Sequence, residues 1–156
     1  MTGRAEVTRL QQTLDATFQR VSAVPNEPEL LSDFARYLCV LVSGFLEQAV
    51  QELVLEHARK RSSPTVQRYV ESRMRRFSNV KAQRLVDLFG SFDPDWRKDL
   101  EGFLVDERKD AVDSVIALRN TISHGRYAGI TISRVGNYYN EIKGIVDHVA
   151  GICDPQ

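Results

Sequence analysis

Cysteine is scarce in this sequence. Only Cys39 and Cys153 occur, with no C-x-x-C pair and no His/Cys cluster. That spacing offers no zinc framework, and nothing in it suggests an oxidising compartment. Net charge is absent as well. The 21 Lys and Arg balance 21 Asp and Glu, so the chain as a whole is no electrostatic nucleic-acid binder, and any such role must come from local asymmetry. No apolar run approaches the roughly 18 residues of a membrane-spanning helix. The opening residues MTGRAEVTRLQQTLD lack the apolar core of a signal peptide. The expected location is cytoplasmic, with no membrane partner. Also missing are internal repeats, low-complexity tracts, linkers and any convincing period-two alternation of the kind that marks strands.

What is present reads as helix almost throughout. A length of 156 residues and a hydrophobic content of 42% suit one domain over residues 1–156, large enough to bury a core without metal or disulfide support. Val7, Leu10, Leu14, Phe18 and Val21 step by three or four and define a first helix, ended by Pro25 and Pro28. Asn26 and Glu29 have capping-box spacing, and predict a second helix from about Glu29 to Arg59. Its middle is apolar on two faces, so it should be the central element. Cys39 lies in that run as a small buried hydrophobe.

Ser63-Pro64 opens a third helix through Phe77, and Asn79 a fourth that Gly90 stops. Asp93-Pro94 opens a short helix carrying Trp96, Leu100 and Phe103. Another runs from about Asp106 to a stop at Gly125, and a last one carries Val135, Tyr138, Ile142, Ile145 and Val149. The predicted class is an all-α bundle, with two long early helices, short intervening ones and two late helices.

Two charges sit where core residues belong. Arg119 continues the row Val112, Val115, Arg119, Ile122, and Glu47 continues Val40, Ser43, Glu47, Val50, Val54. A desolvated charge needs a partner, so an inward-facing Arg119–Glu47 pair is expected, and a purely structural ion pair accounts for it as well as a functional site does. Arg119 begins the stretch RNTISHG, residues 119–125. On a helix Asn120 lies under His124 and Arg119 under Ser123. Asn120 is therefore placed to hold the His124 ring, and Ser123 to hold Arg119. Arg119 and His124 point about 140° apart on an ideal helix. They meet on one ligand only if the helix end unwinds or if a second copy faces the first.

RNTISHG at a glycine-terminated helix end, followed by one more helix, resembles the Arg-polar-x-x-x-His signature of the HEPN superfamily, and most closely its RiboL-PSP-HEPN group. Arg119, Asn120 and His124 fit it residue by residue, and Glu47 matches the acidic residue of an early long helix. The resemblance implies a single HEPN-like domain and a metal-independent endoribonuclease without cofactor. It also implies a homodimer whose two motifs meet in a cleft, RNA as substrate, and a setting in toxin–antitoxin or phage-defence systems with a cognate antitoxin as partner. On that basis His124 moves protons, Arg119 clamps phosphate, Asn120 orients and Glu47 holds Arg119. A non-catalytic RNA-binding or dimerisation module of the same fold is the alternative, and a helical adaptor for another protein is a third reading.

Local charge asymmetry supplies candidate RNA contacts. From Arg59 to Arg84 there are nine basic residues against Glu71 alone, whereas Asp93 to Asp113 carries eight acids against four bases. Arg68, Arg73, Arg75 and Arg76 are the expected RNA-tracking residues. Arg126 could clamp phosphate and Tyr127 stack a base just beyond the motif. A solvated helical face explains the same charges. His57 and His148 have no companions at metal spacing and read as structural or exposed.

Overall fold

A computed structural model describes residues 3–126 and 128–154. The described residues form seven helices and no strand: α1 (Gly3–Ser22), α2 (Pro28–Arg61), α3 (Pro64–Met74), α4 (Ala82–Phe92), α5 (Pro94–Phe103), α6 (Asp106–Ser123) and α7 (Ile132–Cys153). The all-α class expected from the 3.6-residue periodicity is the one observed.

α2 is the axis of the bundle. It packs chiefly on α1 and α7 and also on α3 and α6. Leu38, Val42, Leu46, Ala49 and Val50 are wholly buried on it. The thiol of Cys39 points at the Val115 carbonyl of α6, at 3.8 Å. Burial pushes that thiol up to about 11, and Cys153 up to about 12, so neither is a ready nucleophile. One 18-residue window of α2 reaches a mean hydropathy of 1.5, although polar residues such as Ser43, Glu47 and Gln48 interrupt its apolar runs. More than half of that window is buried inside the bundle, as befits a core helix.

Helix types follow the sequence, but several ends do not. Asn26 and Glu29 form no capping box; α2 begins at Pro28, with Glu27 as its N-cap and no side-chain cap bond. α3 stops at Met74, short of Phe77, and α4 starts at Ala82. Asn79 is not a cap: it takes a left-handed backbone, φ 58°, which Asn tolerates better than most residues. The α4 N-terminus is capped from elsewhere, since the Asp113 carboxylate of α6 accepts the Ala82 amide at 2.9 Å. Nor does Gly90 end α4. The helix continues to Phe92, and Arg97 crosses over Gly90 to reach Asp87 at 3.0 Å. A Cβ at position 90 would stand 2.3 Å from the Arg97 Nε. Asp93 does behave as expected, accepting the Asp95 amide to open α5.

Candidate functional site

The end of α6 is built by its own backbone. Ala111, Val112, Val115 and Ile116 bury one face and seat the helix on α2 and α7. After Ser123 the chain turns through Gly125, φ 71°. The Gly125 amide then bonds to the Ile122 carbonyl at 3.0 Å, and the Arg126 amide to the Thr121 carbonyl at 3.1 Å. That pair of bonds is a Schellman ending, and glycine fits its left-handed position without a steric penalty. His124 is the C-cap residue. Its amide still bonds the Asn120 carbonyl at 3.2 Å, so the helix is not unwound beneath it. The Arg119 and His124 directions therefore stay apart within one chain, and the His124 side chain stands exposed.

Arg119 lies one turn earlier and reaches back to α2. Its Nε donates to the Ser43 hydroxyl at 3.4 Å, and its Nη2 sits 3.7 Å from Glu47 Oε2. Ser43, not Ser123, holds this guanidinium. Ser43 is buried, whereas the Arg119 and Glu47 side chains keep 30% and 25% of their surface. The expected pair is thus present but half-buried, because it closes the α2–α6 seam at its solvent edge. Burial pushes the Glu47 carboxyl above its ordinary value, against the pull of Arg119 and Arg84. These contacts engage Nε and Nη2 and leave the side chain partly in solvent; a guanidinium has further N–H donors, a set that suits a phosphate.

Asn120 is engaged elsewhere than expected. Its amide donates to Asn79 Oδ1 at 3.0 Å, so it does not hold the His124 ring. Among the described residues no side chain holds that ring. The turn from residue 75 to 81 brings Asn79 there, and three side chains fasten the turn and the helix start after it. Gln51 bonds the Phe77 carbonyl at 3.1 Å, Asp113 takes the Ala82 amide, and Asn120 takes Asn79. Asn79 and Ser43 were visible in the sequence only as a candidate cap and as a member of an apolar row.

The basic segment divides. Arg73 and Arg76 line a groove between α3 and α4 together with Arg84. Arg68 is exposed outside it, and Arg75 is paired with Glu71 at 3.1 Å. Arg59, Lys60 and Arg61 are taken up by Glu56 and Asp154. Arg126 is exposed directly after the motif, and Tyr127 lies outside the described residues. His57 bonds the Cys153 carbonyl and packs edge-on to Trp96, while His148 pairs with Asp99 and stacks on Phe103.

No curated protein and no solved structure matches the chain. A family model, HEPN_RiboL-PSP (RiboL-PSP-HEPN), matches residues 6–154. The match runs from α1 to the end of α7 and takes in the helix end that carries Arg119, Asn120 and His124. The chain belongs to the RiboL-PSP-HEPN family.

Proposed function

We propose that this chain is an endoribonuclease that needs no metal and works as a homodimer, with two α6 ends facing each other. The observation that carries the reading is the RNTISHG helix end, where an exposed imidazole follows a half-buried guanidinium held by Ser43 and Glu47. In the reaction the 2′-oxygen attacks phosphorus and the P–O5′ bond breaks. The 2′ proton passes to a base and the 5′-oxygen gains a proton, leaving a 2′,3′-cyclic phosphate and a 5′-hydroxyl. His124 is the proton-transfer group. Arg119 binds the non-bridging oxygens as charge develops on them. Glu47 and Ser43 position Arg119, and Asn120 positions the turn that faces it.

The direction of the side chains supports the dimer. An intact α6 end turns His124 away from Arg119, so a second copy is the route by which both reach one phosphate. α2 offers a surface for that copy. Tyr37, Val40, Gly44 and Gln48 form one stripe beside Glu47, and Tyr37 and Val40 are 53% and 39% exposed. Gly44 has open space above it, so a facing helix can approach closely. A cytoplasmic setting in toxin–antitoxin or phage defence, with a cognate antitoxin protein, belongs to this proposal and draws on family membership.

One observation favours a second reading, a non-catalytic RNA-binding module of the same fold: Asn120 is bonded to Asn79, and His124 has no orienting partner within the described chain. The test is incubation of the purified protein with RNA in EDTA, followed by analysis of product ends. The enzyme reading expects 2′,3′-cyclic phosphate ends and an intact all-DNA control. Binding without cleavage on every RNA tried would select the module.

A further inference from the structure

The groove between α3 and α4 has a volume of about 570 Å³, within the roughly 300–1,000 Å³ range of ligand sites. Its rim is aromatic and basic at once. Tyr69 is 64% exposed on α3, with the Arg73 guanidinium over its ring at 6.0 Å. Phe92 is exposed on the opposite rim, on α4. Arg84 lies over the Phe77 ring at 5.1 Å and completes the cationic lining with Arg73 and Arg76.

One carboxylate lines the groove, Asp87, and it is engaged by Arg97 and Gln83; Glu71 nearby is engaged by Arg75. Among the described residues no carboxylate forms a salt bridge with Arg73, Arg76 or Arg84. A large tyrosine ring left in water beside guanidinium groups that no salt bridge takes up is what single-stranded nucleic acid uses. Bases stack on the ring while cations track the backbone. An acidic polypeptide would satisfy the charges but has no regular series of bases to stack on the ring.

The groove is also tied to the α6 end. Arg84 lines it and acts on the Glu47 carboxylate. The turn between α3 and α4 is bonded to Asn120 through Asn79. We infer that the α3–α4 groove is a subsite for single-stranded RNA, in which Tyr69 stacks a base and Arg73, Arg76 and Arg84 hold the phosphates of the strand leading to Arg119. The inference rests on the RNA reading above and extends it to residues remote from the chemistry.

The test uses a fluorescein-labelled twelve-nucleotide oligouridylate bound by the full-length His124→Ala chain, which leaves the probe intact, read by anisotropy. Adding Tyr69→Ala should weaken binding at least about fivefold, since a stacked base is worth ~1–3 kcal/mol. Tyr69→Phe should restore it, and inorganic polyphosphate should bind both chains equally. Adding Arg76→Ala should flatten the slope of log Kd against log salt by about 0.7, the value for one single-strand phosphate contact. Oligouridylate binding unchanged within twofold in both variants would overturn the subsite. So would an oligoglutamate peptide that binds as tightly as the RNA and is lost with Tyr69→Ala, which would make the groove a protein-docking face. The two readings fail separately: wild-type protein that binds as predicted but never cleaves sinks only the ribonuclease. Cleaving protein whose groove variants bind normally sinks only the subsite.

Discussion

At the scale of single residues, the pair that decides the site is Arg119 and Glu47. Both were legible as charges interrupting apolar rows, because a charged residue at a core position must find a partner. Their depth was not legible, since it depends on where the α2–α6 seam meets solvent. A half-exposed pair at 3.7 Å is worth far less than a buried one, and burial rather than pairing governs the Glu47 carboxyl. A carboxyl raised in the native state holds its proton more tightly there than in the unfolded chain. Its contribution to stability is therefore fully present below the ordinary value of 4.5 and falls as pH rises through the higher native value. Glu47→Gln should accordingly gain stability relative to wild type over that rise. At neutral pH it should lie within about 1 kcal/mol of wild type, the lost pairing being offset by the removed desolvation. Urea unfolding of both proteins from pH 4 upward measures this difference; a loss of several kcal/mol at pH 7 would mean that the pair is truly buried.

At the scale of elements, most helices of the described residues could be read from apolar spacing, because that pattern is local, whereas α3, which buries only Met74, was marked by its Ser63-Pro64 start. Their ends were less legible. Pro28 opens α2 and no Asn26–Glu29 box forms, while the start of α4 is capped by Asp113, thirty-one residues further on. Asn79 shows the ambiguity most clearly: asparagine serves both caps and left-handed turns, and only its backbone in the fold, φ 58° with Lys81 as the N-cap of α4, decides between them. That gives a prediction for the turn. Asn79→Ala should destabilise the fold by about 1–2 kcal/mol, through a backbone that alanine resists and a lost hydrogen bond. Asn79→Gly should cost less than Asn79→Ala, because glycine keeps the φ of 58° at no steric penalty. Chemical unfolding of the two variants orders them, and a glycine variant less stable than the alanine variant would contradict the account.

At the scale of the whole molecule, the charge balance of the sequence hides a division of labour. The basic residues at the α2 end are neutralised by Glu56 and Asp154, and those of the α3–α4 groove are left open. The sequence could show the segregation but not which arginines were spent on acids. The assembly is where the functional proposal stands or falls, because Arg119 and His124 diverge on an intact helix. Val40→Glu places a charge in the exposed stripe of α2 and should leave the helical fold unchanged. It should convert a dimer to a monomer in sedimentation velocity, and cleavage should fall with it. A monomeric variant that cleaves RNA at the wild-type rate would show that one chain suffices. The most direct test of the central claim is RNA cleavage in EDTA by wild type, His124→Ala and Arg119→Lys, each first shown to be folded and to have the wild-type oligomeric state. The account predicts cyclic-phosphate products from wild type alone, since alanine moves no proton and lysine lacks the planar fork that spans a phosphate. Undiminished cleavage by His124→Ala would contradict it.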